Sequence, residues 1–181
     1  MALEEAIKQL KAGGVIAYPT EAVYGLGSDP RNEEALKKIL MLKKRSYEKG
    51  LIIIASSWPQ LQDYVEPIPK DRLDLILKSW PGPYTWLFPV KSTVSPYLHG
   101  ENTTIAVRVT AHPIARALCE AFQSPIVSTS ANFEGQPPAR NAEEVFKIFG
   151  QSIDYIVSGA LGVLDKPTTI CDALSGDIIR S

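Results

Sequence analysis

The chain holds little of the material from which covalent and metal chemistry is usually built. Its two cysteines, Cys119 and Cys171, stand far apart and outside any Cys-x-x-Cys spacing, so they read as buried thiols in a reducing compartment. Its two histidines, His99 and His112, have no ligand-type neighbours at metal spacing, which disfavours a zinc site and a histidine-dependent triad. There is no Gly-x4-Gly-Lys-Ser/Thr loop and no Gly-x-Ser-x-Gly elbow, so neither a P-loop nucleotide site nor the elbow type of hydrolase is expected. Charge is nearly balanced, at −1 over 181 residues, so the molecule as a whole is not an electrostatic binder of nucleic acid. No apolar run is long enough to span a bilayer, and the chain starts with an amphipathic pattern (Glu4, Glu5, Lys8) rather than a leader. A cytoplasmic protein without membrane contact is expected. The chemistry must then use hydroxyls, amides, carboxylates and fixed cations.

What is present reads as one mixed α/β domain over residues 1–181, a length that buries a real core. Leu3, Ile7 and Leu10 share one face of a helix over 2–12, closed by Gly13-Gly14. Val15 to Tyr18 is a buried strand that Pro19 ends. Asn32 caps a second helix with Glu33 and Glu34 in its first turn and Leu36, Ile39 and Leu40 inward. The run Leu51-Ile52-Ile53-Ile54-Ala55, between Gly50 and Ser56, marks an interior strand. A short helix from Ser57 to Tyr64 and another from about 70 to 80 precede the stop at Pro81-Gly82-Pro83. Strands follow at 84–90 and 104–109, the second with Ile105, Val107 and Val109 on one face and Thr104, Ala106 and Arg108 on the other. The rest reads as a helix at 113–122, a strand at 126–128, a loop at 133–140, and a helix capped by Asn141 with Val145, Phe146 and Phe149 inward. Short strands near Tyr155, Ile170 and Ile178 complete the chain.

Four clusters carry candidate chemistry. The first is Pro19-Thr20-Glu21-Ala22-Val23-Tyr24-Gly25-Leu26-Gly27, a hydroxyl, a carboxylate, an aromatic and two glycines at a strand end, where open α/β sheets place ligands. A strand, a turn and a second strand with nothing bound would also account for it. The second is Lys43-x-Arg45, a point charge and a planar fork that could clamp a phosphate if the helix ends between them; a solvated helix end is the alternative. The third is Ser128-Thr129-Ser130-Ala131-Asn132 after a buried strand, suited to ribose or phosphate, or simply a polar turn. The fourth is Arg108, a mid-strand guanidinium that needs a partner, either Glu21 or a ligand carboxylate.

The signature at 19–27, with Lys43-x-Arg45, Thr104-Ile105-Ala106-Val107-Arg108-Val109 and Ser128-Thr129-Ser130-Ala131-Asn132 in the same order, resembles the YrdC/Sua5 family of threonylcarbamoyl-AMP synthases. The resemblance implies a twisted open mixed sheet flanked by helices, with a concave basic cavity. It implies synthesis of threonylcarbamoyl-AMP and pyrophosphate from L-threonine, bicarbonate or CO2, and ATP carried with Mg2+. The product would serve the N6-threonylcarbamoyladenosine modification at position 37 of tRNA. By the same resemblance Thr20, Arg108, Ser128 and Thr168 would hold threonine, and Thr104, Ser130, Asn132 and Arg180 the nucleotide. Lys43 and Arg45 would neutralise charge on its phosphates. Implied partners are a threonylcarbamoyl transferase complex of TsaD, TsaB and TsaE type and tRNA or double-stranded RNA. RNA binding without chemistry, through Lys37, Lys38, Lys43, Lys44 and Arg45, is the rival reading. An accessory carbamoyl-transfer domain of the hydrogenase-maturation kind is a third. The sequence departs from many relatives at Ala22, Lys49-Gly50, Ile54 and Pro138, and its stop after Arg180 resembles the short bacterial form.

Overall fold

A computed structural model describes residues 2–181. In chain order its elements are α1 (Ala2–Lys11), β1 (Ile16–Pro19), β2 (Tyr24–Gly27), α2 (Glu33–Lys43), β3 (Ile52–Ala55), α3 (Lys70–Lys78), β4 (Tyr84–Pro89), α4 (Pro96–His99), β5 (Thr104–Val109) and α5 (Pro113–Phe122). They continue through β6 (Ile126–Val127), β7 (Thr129–Ser130), α6 (Ala142–Phe149), β8 (Tyr155–Ile156), β9 (Thr169–Asp172) and β10 (Ile178–Arg180). The short helix expected from Ser57 is a 3-10 turn, Trp58–Leu61, and the one expected to reach Trp80 ends at Lys78.

The expected single sheet is two. One has the order β7-β2-β1-β8 and the other β10-β9-β4-β5-β3-β6. The all-apolar β3 lies inside the larger sheet, parallel to β5 and antiparallel to β6, as a run buried on both faces requires. The sheets are stitched where β6 gives way to β7. Val127 N donates to Ser28 O at 3.0 Å, Ser128 N to Ile52 O at 2.8 Å, and the Tyr18 hydroxyl to Val127 O at 2.8 Å. One residue, Ser128, therefore belongs to neither sheet and sits at their junction. Gly27 is required here, because a Cβ would stand 2.6 Å from the Tyr18 ring and 2.7 Å from Val127 O.

The main core packs Leu36 and Ile39 of α2, Ile53 of β3, Phe88 of β4, and Ile105 and Val107 of β5. A second cluster, with Leu10, Tyr18, Ile54, Leu118 and Ile126, fills the space beneath α1 and α5. In α6, Val145 and Phe149 face inward, but Phe146 is 56% exposed, contrary to the expectation. Val145, Ile148 and Phe149 form the packed stripe, and one step from Val145 turns Phe146 about 100° away from it.

Candidate functional site

At the junction of the sheets lies a cavity of about 340 Å3. The loop from Thr20 to Gly25 and the start of β3 form two of its walls; Ser128 to Ser130 with Asn132, Arg108, Pro167-Thr168 and Arg180 supply the rest. Its charged lining is Glu21 against Arg45, Arg108 and Arg180. A larger hollow of about 750 Å3 sits at the opposite end of β3, near Arg31, Tyr64 and Ser124. Of the two, only the smaller is lined by buried polar atoms that lack a partner: Glu21 Oε2, Arg45 Nε and Arg108 Nε. Unmatched buried polar atoms are costly, and their clustering singles out the smaller cavity as the candidate site.

Arg108 has a protein partner, Glu21. Alternation along β5 turns Ile105, Val107 and Val109 into the core, so Arg108 points the other way, 4% exposed, and its Nη1 meets Glu21 Oε1 at 2.5 Å. The Thr110 hydroxyl donates to the same oxygen at 2.7 Å. Burial alone would raise the Glu21 carboxyl, but the Arg108 charge and the Thr110 hydrogen bond prevail and hold it below its ordinary value. Glu21 is thus an ionised acceptor with one oxygen paired and the other buried without a partner.

The helix α2 does end between Lys43 and Arg45. Lys44 adopts a left-handed conformation (φ 54°, ψ 41°), and its N–H and that of Arg45 close on Leu40 O. The turn separates the two cations. Arg45 reaches the cavity, donating to Gly50 O at 3.2 Å and pairing with Glu134 at 3.4 Å. Lys43, expected to meet a phosphate, is 2% exposed and lies beneath the site. Its ammonium donates to Ser130 O (2.6 Å), Asn132 Oδ1 (2.8 Å) and Asn132 O (3.2 Å), so the three N–H bonds are all used. Burial and the nearby Arg45 charge pull Lys43 down to about 8, which leaves it protonated at neutral pH.

Of the residues expected from the sequence, Thr20, Arg45, Arg108, Ser128, Ser130, Asn132, Thr168 and Arg180 converge on this cavity. Thr20 spends its hydroxyl on Val23 O at 2.7 Å, Thr168 shares a hydrogen bond with Thr85 at 2.9 Å, and Arg180 donates to Thr168 O at 3.2 Å. Thr104 does not converge. It pairs with Pro89 at the far end of β5, about 13 Å along the strand from Arg108. Thr110 was missed, although its place two residues beyond Arg108 was a usable signal. The loop at 133–140 is tied down at both ends, through Glu134 N to Lys43 O at 2.7 Å and Ala139 N to Ala131 O at 2.9 Å.

The residues suggested for RNA phosphates are mostly committed elsewhere. Lys37 pairs with Glu34 at 3.0 Å, Lys38 with Asp154 at 2.6 Å, Arg45 with Glu134, and Lys44 lies over the Phe133 ring. Among the described residues no helix is long and apolar enough to cross a membrane.

Comparison with known proteins gives a consistent picture. The family model Sua5_yciO_yrdC, described as "Telomere recombination", matches residues 8–181. A Coxiella burnetii protein named threonylcarbamoyl-AMP synthase is 49% identical over 178 residues, covering 98% of this chain and 96% of its own. The crystal structure of P. abyssi Sua5 complexed with L-threonine superimposes with a TM-score of 0.88 at 35% identity, over 94% of this chain and 50% of that one. This chain therefore spans half of the Sua5 polypeptide. The structure of E. coli YciO gives a TM-score of 0.85 at 28% identity, over 99% of this chain and 88% of its own.

Proposed function

The chain belongs to the Sua5/YciO/YrdC family, and from that membership we propose that it is a threonylcarbamoyl-AMP synthase, a nucleotidyltransferase of tRNA modification. The observation that carries the reading is the cavity in which one carboxylate and three guanidiniums meet, with buried unpartnered polar atoms on Glu21, Arg45 and Arg108. Its substrates are L-threonine, bicarbonate or CO2, and ATP, with Mg2+ entering on the nucleotide.

The threonine amino group attacks the carbon of CO2 and gives a carbamate, losing one proton. A carbamate oxygen then attacks the α-phosphorus, the bond to the bridging oxygen breaks, and pyrophosphate leaves. Such a transfer needs alignment and charge neutralisation more than a covalent protein nucleophile. Arg45 and Arg180 offset charge on the triphosphate, and Ser130 and Asn132 orient the nucleotide. Arg108 stands at the cavity wall for the threonine carboxylate, with Thr20, Ser128 and Thr168 around the amino acid. Glu21, held ionised, stands beside the amino group; a carboxylate with a lowered pKa is a poor base, so it binds rather than removes the proton. Lys43 acts from below, holding Ser130 and Asn132 in place. A threonylcarbamoyl transferase of TsaD, TsaB and TsaE type consumes the product on tRNA.

Pyrophosphate release from purified protein, with ATP, Mg2+ and bicarbonate, tests this directly. Release is expected only when L-threonine and bicarbonate are both present. Release that ignores threonine, or none at all while both substrates bind, overturns the reading of an unaided synthase.

A further inference from the structure

We propose that His112, outside the cavity lining, is a positioning residue that clamps the segment from Gly159 to Leu164 across the threonine side of the site. This rests on the synthase reading above.

His112 stands at the N-cap of α5, buried to 5% exposure. Its Nδ1 faces the Ala115 N–H at 3.4 Å, and its Nε2 faces Ala160 O at 3.0 Å. An amide N–H can only donate and a carbonyl can only accept. The two partners therefore fix the neutral ring with the proton on Nε2, so that one side chain caps a helix and grips the crossing segment. Its backbone joins the same network, since His112 N donates to Thr110 Oγ1 at 3.1 Å and Thr110 donates to Glu21.

The clamped segment borders the site at every step. Gly159 N donates to the Tyr24 hydroxyl at 3.2 Å, Gly162 N to Thr20 O at 2.9 Å, and Leu164 N to Glu21 O at 3.2 Å. Its approach is close, because a Cβ at Gly162 would lie 2.8 Å from Glu21 Cα and one at Gly159 2.2 Å from Ile114. Beyond it the chain delivers Pro167 and Thr168 to the cavity wall. Among these four anchors, that of Ala160 is the one made by a side chain lying outside the cavity. Loosening it frees the segment that seats Thr20, Glu21 and Thr168 without touching any group that meets substrate.

The test uses His112→Asn. An asparagine oxygen still caps Ala115 N, since Asn is a favoured N-cap, but the shorter side chain cannot reach Ala160. Hydrogen exchange at the Gly162 and Leu164 amides is expected to quicken about three- to tenfold, the worth of one lost hydrogen bond. The KM for L-threonine should rise by a similar factor, with kcat and the KM for ATP changing less. His112→Ala, which also loses the cap, should add a lower unfolding temperature. Unchanged exchange overturns the clamp. Faster exchange with an unchanged threonine KM overturns the positioning role. A wild-type protein with no threonine-dependent pyrophosphate release overturns the synthase reading and the positioning role together, while the exchange rates still decide the clamp.

Discussion

Replacing Lys43 by Met distinguishes a lysine that touches a phosphate from one that supports the floor of the site. The two side chains are similar in length, so the substitution removes donors and charge while keeping most of the volume. Asn132 O loses the donor that satisfies it, whereas Ser130 O keeps the Asn132 N–H at 3.0 Å and Asn132 Oδ1 keeps the Ser130 hydroxyl at 2.7 Å. One orphaned carbonyl and two weakened charge-assisted bonds cost about 2–4 kcal/mol. Relief from burying an ammonium offsets part of this, leaving a net loss of about 2 kcal/mol. In a domain of this size that lowers Tm by about 4–8 °C.

The same substitution has a pH signature. Lys43 falls from 10.5 to about 8 in the folded chain, so between those values the folded state binds fewer protons than the unfolded one. Stability contributed through this group therefore rises with pH across that window, and the Met variant lacks the rise. The stability gap between wild type and variant should widen as pH climbs from about 8 toward 10.5. Urea unfolding followed by tryptophan fluorescence at neutral pH and across the window measures both effects. An unchanged urea midpoint with a large fall in pyrophosphate release would refute the reasoning, because that is the pattern of a lysine in direct contact with substrate.

Arg108→Ala leaves the Glu21 carboxylate buried without its cation, and urea unfolding should show a loss of about 3–5 kcal/mol together with loss of threonine-dependent turnover. Because the folded Glu21 pKa is lowered, its contribution is present above 4.5 and disappears as pH falls through the folded value; Glu21→Gln should flatten that acid limb. On α6, Phe146→Ser should change stability by less than about 0.5 kcal/mol and Phe149→Ala should cost about 3–5 kcal/mol, both read by thermal unfolding.

Local rules reached a long way into this protein. Asn32 and Asn141 cap the helices that their spacing announced, with side-chain bonds to Ala35 N and Glu144 N. The apolar run at 51–55 became an interior strand, and alternation over 104–109 put Arg108 opposite the core. These features depend on neighbours a few residues away, and a period or a cap is written in consecutive side chains. The motifs also named most of the residues that line the cavity.

Tertiary structure alone decided the rest, because each remaining question concerned a partner distant in sequence. No local pattern could say that Lys43 would spend its ammonium on carbonyls 87 and 89 residues later and lie under the site while Arg45 enters it. Pairing across the chain likewise split the strands into two sheets at Ser128 and opened the cavity there. Periodicity marked Phe146 as apolar without fixing which side of α6 would be covered. That Glu21 is the protein partner of Arg108 was decided by a contact spanning 87 residues. Sequence determined which groups were available and how each segment would coil. Burial and long-range hydrogen bonding determined which of those groups gather at the cavity.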